Sequence, residues 1–348
     1  MGERIAHGGG LDAAMMRYGG ERAGWLDLST GINPNAYPLP PIKIESWQRL
    51  PDRGAEDALK AAARACYCVP EEAAVVVANG TQALIELLPR VLDADQIAVV
   101  TPTYGEHAHV WRKSGLAVSE IRHGEPVPEA ARVLVVVNPN NPDCRVTPQD
   151  QLLVLAESMR ARAGWLVIDE AFCDTSPQAS LIPLLPENVI VLRSFGKFFG
   201  LAGLRLGFAV CSPALAEALE ELQGPWSVSG PALSVGARAL QDTSWVAKTR
   251  RRLQNDSQAM AGLLKAQGFA ICGVHPLFVF AGHERATEIA DGLAQRHILV
   301  RDFETLPGRL RFGLCGDEAA FSRLEIALSQ VMADGGAMKR TSGHEAHG

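Results

Sequence analysis

The run NVIVLRSFGKFFGLAGLRLGF, residues 188–208, sets one lysine, Lys197, and one arginine, Arg205, among glycines and large apolar side chains. Its opening NVIVLRS is aliphatic and β-branched without alternation, the pattern of a strand covered on both faces. A charge in such company is either carried to the surface on its flexible stem or put to use. The glycines let the backbone bend and come close to a ligand.

Outward from this run the same pattern recurs. AAVVVANGTQALIELLPRVL (73–92) turns from a β-branched run into a helical one, and QIAVVTP (96–102), RVLVVVNP (132–139) and GWLVIDEAF (164–172) are further strand-like runs. The helical segment GAEDALKAAARAC (54–66) precedes them, and segments with helical periodicity such as PQDQLLVLAESMRARAG (148–164) separate most of them. Continuous apolar strands alternating with helices predict an α/β fold with a mostly parallel sheet between helices. In such sheets, functional groups gather just past the carboxyl ends of the strands. The unusual residues stand there: Asn79-Gly80-Thr81, Pro102-Thr103-Tyr104, Asn138 to Pro142, Asp169, and Ser194 to Lys197.

The chain of 348 residues exceeds what one core usually holds, so a large domain with a smaller companion is expected. A polar, glycine-rich arm spans 1–45 and the large domain 46–230. A small α+β domain spans 231–333, built from the polar helix SWVAKTRRRLQNDSQAMAGLLKAQ and the short runs FAICGV, LFVFAG, ILVRDF and RLRFGLC. Residues 334–348, polar and glycine-rich, read as a disordered tail. In the arm, WLDLSTGINPNAYPLPPIKIESW has the prolines and asparagine turns of an extended segment through which no helix runs.

Apolar residues make up 47% and charged residues 21%, the balance of an ordinary soluble protein, and the net charge of -6 leaves no basic footprint for nucleic acid. Seven scattered cysteines without C-x-x-C or zinc spacing read as thiols of a reducing cytoplasm, with no metal site. The N-terminus lacks a signal sequence and no apolar run reaches bilayer length, so no membrane partner is expected.

Taken singly, each strand-end residue has a bland explanation: a helix cap, a solvated lysine, a turn. Taken together they meet the needs of pyridoxal phosphate. A helix opening at Gly80-Thr81-Gln82 offers backbone N–H groups to a phosphate, which Ser194 and Arg205 can join. Tyr104 can cover one face of a planar ring, Asn141 can donate to a ring oxygen, and Asp169 can pair with a protonated ring nitrogen. Lys197 is the nucleophile that tethers the cofactor and then serves as a local acid or base.

The ordered motifs NGTQALIELL, TPTYGEH, NPNNP, WLVIDEAF and SFGKFFGLAGLRLGF resemble those of the fold-type-I pyridoxal-phosphate enzymes, in the branch containing histidinol-phosphate aminotransferases. The resemblance implies a large domain with a mostly parallel sheet of the seven-stranded type, a smaller C-terminal α+β domain and a homodimer with sites at the subunit interface. It also implies Lys197 and Asp169 as catalytic, with Gly80, Thr81, Gln82, Tyr104, Asn141, Ser194 and Arg205 as further cofactor ligands.

Departures from the aminotransferase pattern concern the reaction. NPDC (141–144) stands where that branch reads NPTG, Phe172 of DEAF stands where it has a tyrosine, and Leu50 of RLPD replaces a tyrosine that reaches the neighbouring subunit's cofactor phosphate. HGGGLDAAMMRYG, WLDLSTGINPNAYP, WQRLPD and Phe172 are similar to the L-threonine-O-3-phosphate decarboxylases of aerobic cobalamin biosynthesis. That likeness implies loss of CO2 from L-threonine O-3-phosphate to give (R)-1-amino-2-propanol O-2-phosphate; the alternative is a histidinol-phosphate-type aminotransferase using 2-oxoglutarate and glutamate. A decarboxylase must point the substrate carboxylate out of the ring plane, an aminotransferase the hydrogen, and the groups that bind the substrate's anions set that choice. Candidates are Arg311, which matches the family's anion-binding arginine, Arg301, and the arm residues His7 and Asn33. The run Arg250 to Arg252 reads as a solvated helix face.

Overall fold

The computed structural model describes residues 8–342, with side chains through Asp334. Its strands are β1 (Leu26–Leu28), β2 (Ala74–Ala78), β3 (Gln96–Thr101), β4 (Ala117–Arg122), β5 (Val133–Val137), β6 (Trp165–Asp169), β7 (Val189–Ser194), β8 (Gly207–Cys211), β9 (Ala270–His275), β10 (Phe278–Gly282), β11 (Ile298–Asp302) and β12 (Arg309–Gly313). Two compact units form: residues 36–249, and the residues through Asn35 taken with those from Arg250 on.

In the first unit, strands run in the order β2-β8-β7-β6-β5-β3-β4. From β4 to β7 all neighbours are parallel, and β8 alone runs antiparallel to both of its neighbours. β5, β7 and β8 are buried at every residue, which is why they read as unbroken apolar runs. Leu84, Ile85 and Leu88 of the helix Thr81–Val91 pack with Val110 and Trp111 of the helix Glu106–Lys113 against Val99, Val135 and Val167 of the sheet. Val137 pairs with Asp169, and Asp169 with Leu192, so the carboxyl ends of β5, β6 and β7 are level. The exception, β8, follows from the return after β7, which holds only the short turns Phe195–Phe198 and Ala202–Leu204 and no helix long enough to cross the sheet, so that Ser194 pairs with Gly207 antiparallel. This return carries Arg205 back beside the strand end that leads to Lys197.

The second unit has a five-stranded sheet in the order β1-β11-β12-β10-β9, antiparallel except for β1 with β11. Its edge strand β1 comes from the segment expected as an arm, with Leu26 opposite Ile298 and Leu28 opposite Val300. The helix Leu11–Tyr18 joins it: Leu11, Ala14, Met15 and Tyr18 share one face and pack around Trp25, Ala294 and Leu299. Residues 29–44 hold no helix, but Glu45–Gln48 form a single helical turn that takes in the last three residues of the segment read as helix-free, once the chain is past Pro38, Pro40 and Pro41. The backbone of the last helix, Glu318–Ser342, continues past residue 334, where polar composition points to a disordered tail. Ala337, Met338, Lys339 and Arg340 are strong helix formers that offset the two glycines before them. Residues 343–348 of that tail lie outside the described residues. Among the described residues, no helix is long and apolar enough to cross a membrane.

Candidate active site

β7 ends at Ser194 and is followed by a single helical turn, Phe195–Phe198. Phe195, Phe198 and Phe199, spaced three and four residues apart, turn to one side and are buried. Phe195 stacks on Phe199 at 4.3 Å between ring centroids, and Phe199 stacks on Trp245 at 5.6 Å. Tyr37 stands edge-on to Phe199 and Trp245. This aromatic column anchors the turn and leaves Lys197 half-buried on its other side. The lysine Nζ lies 5.7 Å from the centroid of the Phe172 ring.

Asp169, at the tip of β6, is 4% exposed. Its Oδ1 accepts a hydrogen bond from Ala171 N at 2.9 Å, and its Oδ2 lies 2.9 Å from Nε2 of His107. His107 is fully buried and its Nδ1 has no hydrogen-bond partner among the described residues. The carboxylate can only accept, so Nε2 carries the hydrogen and donates. His107 escapes a reading of the sequence that stops at Tyr104 in TPTYGEH. The available signal was spacing: three residues on, at the start of a helix, a side chain turns to the same side, and the two rings sit 6.0 Å apart, edge to face.

The Asn-Pro loop divides its labour. Asn138 exchanges hydrogen bonds with Thr147, and Asn140 accepts from Thr103 Oγ1 at 2.7 Å while donating to Pro102 O and Asp143 Oδ1. Both are buried braces, and Asn141 follows them half-buried. Cys144 adopts a left-handed φ of 62°, a conformation that glycine adopts at no steric cost. The departure NPDC therefore bears on the turn, which Cys144 closes by donating its N–H to Asn140 O at 3.1 Å.

At the start of the helix Thr81–Val91, Gly80 has φ 82°, and a Cβ built on it would meet Arg205 Nη2 at 2.7 Å. A Cβ on Gly207 would lie 2.5 Å from Thr81 N. The two glycines thus let Arg205 and β8 press against the helix N-terminus, where Ala83 N donates back to Gly80 O and the N–H groups of Thr81 and Gln82 precede the first intrahelical bond. Ser194 faces the same region as the register partner of Gly207. Gln82 bridges two neighbours, accepting from Tyr104 OH at 3.3 Å and donating to Glu106 Oε2 at 3.2 Å. Burial, and then the nearby charges of Glu106 and Asp169, push the Tyr104 phenol up to about 12.

Gly80, Thr81, Gln82, Tyr104, Asn141, Asp169, Ser194, Lys197 and Arg205 all belong to the unit 36–249. Contacts link Arg205 to Gly80, Gln82 to Tyr104, and Tyr104 through His107 to Asp169. The donor set fits pyridoxal phosphate: an anion cradle at a helix start, a buried carboxyl for the ring nitrogen, an aromatic ring and a half-buried amine.

The other expected residues belong to the second unit, except that His7 lies outside the described residues. Arg301 and Arg311 are direct register partners on β11 and β12, so their side chains leave the same face of the sheet. Arg311 is 6% exposed, donates to Ser29 O at 2.6 Å and lies over the Phe278 ring. Arg301 lies over the Phe303 ring, and burial lowers its pKa. Asn33 is buried and its Oδ1 accepts from Asn35 N and, at 2.8 Å, from Arg252 Nη2. That bond corrects the reading of residues 250–252 as a solvated face. Arg251 is exposed, but Arg252 is half-buried, because the 29–35 segment returns to it from a distance no local pattern reveals.

Residues 43–325 match the family model described as aminotransferase class I and II. The chain belongs to this family. It is 45% identical over 327 residues to the threonine-phosphate decarboxylase of Pseudomonas aeruginosa, covering 93% of this chain and 97% of the relative. A threonine-phosphate decarboxylase of Sinorhizobium sp. is 41% identical, with 95% and 99% covered. A histidinol-phosphate aminotransferase of Geotalea daltonii is more distant, 30% identical with 89% and 93% covered. Among solved structures, the histidinol-phosphate aminotransferase of Sinorhizobium meliloti in complex with pyridoxal-5'-phosphate superposes with a TM-score of 0.78 at 21% identity, covering 93% of this chain and 95% of that one. The fold is that of the fold-type-I pyridoxal-phosphate enzymes.

Two outcomes are expected from this geometry. Gly207→Ala forces β8 away from Thr81, costing about 2 kcal/mol in urea denaturation and weakening cofactor binding. Because the folded protein holds the Tyr104 proton more tightly than the unfolded chain, that contribution to stability is complete below pH 10 and is lost as pH rises through about 12. Tyr104→Phe should flatten the fall in unfolding free energy across that window, measured by denaturation at successive pH values.

Proposed function

We propose that the protein uses pyridoxal phosphate to decarboxylate L-threonine O-3-phosphate, giving CO2 and (R)-1-amino-2-propanol O-2-phosphate. The observation that carries this reading is the near-full-length likeness to two threonine-phosphate decarboxylases in a chain that retains Lys197, Asp169 and Arg205. When bound, the cofactor supplies an electron sink that stabilises negative charge at the substrate's Cα.

The chain's own residues do the rest. Asp169, fixed by Ala171 N and His107, would hold a proton on the ring nitrogen. Gly80, Thr81 and Gln82, with Ser194 and Arg205, would grip the cofactor phosphate, while Tyr104 would cover the ring and Asn141 would donate to its oxygen. Lys197 Nζ holds the cofactor and moves a proton beside the substrate's Cα, where hydrogen replaces the departing carboxylate. Arg301 and Arg311 bind the substrate's two anions, with Asn33 and His7 as further contacts. Holding those anions would fix which bond at the substrate's Cα is set to break, and so favour loss of the carboxylate.

A cytoplasmic homodimer belongs to the same proposal, with a place in cobalamin biosynthesis. Leu39, Ile44, Trp47 and Leu50 are each about 60% exposed within one short segment, an apolar strip that a second copy can cover. None of the seven cysteines is in a disulfide, which suits a reducing compartment.

Purified protein with pyridoxal phosphate should release CO2 and an amine phosphate from L-threonine O-3-phosphate with no 2-oxo acid present, and Lys197→Ala should abolish turnover. Absence of CO2 together with amino transfer to 2-oxoglutarate would instead assign the chain to the aminotransferases. Arg311→Met should raise KM at least about tenfold, since it removes a charged hydrogen-bond partner. For the dimer, sedimentation equilibrium should give twice the chain mass, and Trp47→Asp should shift it toward one.

A further inference from the structure

Beneath the tips of β6 and β7 lies a buried charge cluster that the reaction does not itself use. Successive residues of a strand face opposite sides of the sheet, so Glu170 and Arg193 point away from the side that presents Asp169 and Ser194. The two pairs flank a single rung: Asp169 is the register partner of Leu192, and Glu170 N donates to Leu192 O at 2.8 Å. Arg193 Nη1 donates to Glu170 Oε2 at 2.9 Å and Nη2 to Asp174 Oδ1, while the guanidinium lies 4.3 Å over the Tyr67 ring. Glu170 also accepts from Ser180 Oγ at 2.6 Å and from Leu181 N at 2.8 Å. Glu170, Arg193 and Asp174 are at most 3% exposed.

Such a cluster is a poor source of stability. One guanidinium faces two carboxyl groups, burial pushes the Glu170 carboxyl up against the pull of Arg193, and apolar replacements of buried ion pairs are often neutral or better. Its value lies in where its ends attach. One end holds Glu170, covalently next to Asp169. The other holds Asp174 in the turn Cys173–Thr175, next to Phe172, whose ring stands against Lys197 Nζ. Arg193 itself is bonded in sequence to Ser194, from which the Lys197 turn departs. A planar fork reaching both carboxyl groups at once fixes the three segments as one piece.

We propose that Arg193, acting through Glu170 and Asp174, is a positioning residue that sets Asp169 and Phe172 relative to Lys197. It rests on the reading of Lys197 and Asp169 as the cofactor-facing pair.

The test is Arg193→Lys, which keeps the charge but not the fork, measured in the full chain. Pyridoxal 5'-phosphate is titrated into apoprotein, its visible absorption is followed against pH, and kcat and KM are measured with L-threonine O-3-phosphate. A positioning role predicts weaker cofactor binding, a shifted pH for the absorption change, and kcat lower by up to about a hundredfold with KM changed much less. A folded variant whose affinity, absorption profile and kcat all match wild type overturns it, even if its thermal midpoint has dropped, since that is all a purely structural role affects. If Arg193→Lys does not fold, Glu170→Gln is read in the same way. Wild-type protein that bound no cofactor would instead overturn the cofactor reading itself, so the two failures are distinct.

Discussion

A carboxyl group held almost dry at the tip of β6 sets the terms for its surroundings. Asp169 is out of water at the end of a strand buried on both faces, and a polar group so placed is tolerated only with hydrogen-bond partners. Ala171 N and His107 Nε2 supply them from opposite directions, one from the next turn of its own chain and one from a helix beyond β3. The partners leave the carboxyl little freedom to turn. His107 is itself fully buried, so both members of the pair are held away from water.

The parallel sheet makes this geometry available. Level carboxyl ends at β5, β6 and β7 place the Asn-Pro loop, Asp169 and the Lys197 turn side by side, and the antiparallel return of β8 adds Arg205 at the neighbouring helix start. The strand pleat then separates tasks by face, with Asp169 and Ser194 on one side and Glu170 and Arg193 on the other. Residues adjacent in sequence thus serve different ends: one of each pair faces the site and the other fastens the strand.

Much of this was legible in the sequence because its signals are local. Doubly buried strands read as unbroken Val, Ile and Leu, helix starts follow them at once, and their ends carry polar residues with no role in a core. What stayed hidden depends on partners distant in the chain. Arg193 in VLRS gives no local sign of Asp174 or Tyr67, and Arg252 looks like its exposed neighbour Arg251 until Asn33 is seen against it. The pairing of β1 with β11 joins segments from opposite ends of the chain, so no periodicity in either could announce it. His107 is the intermediate case, visible from helical spacing once Tyr104 is given weight.

The arginine pair of the second unit adds a thermodynamic point. Arg301 and Arg311 are register partners whose side chains leave one face of the sheet, and burial weakens the hold of Arg301 on its proton although Asp302 and Glu304 act the other way. In the proposed reaction an anionic ligand would supply opposite charge to guanidinium groups that burial has partly stripped of water. On the proposed reaction, substrate brings a carboxylate and a phosphate, whereas the product keeps only the phosphate because the carboxylate leaves as neutral CO2. On that reading the pair would meet two anions in the substrate and one in the product. Binding would then favour the molecule that still has a carboxylate to lose, and the charge that chemistry has removed would favour release of the amine phosphate.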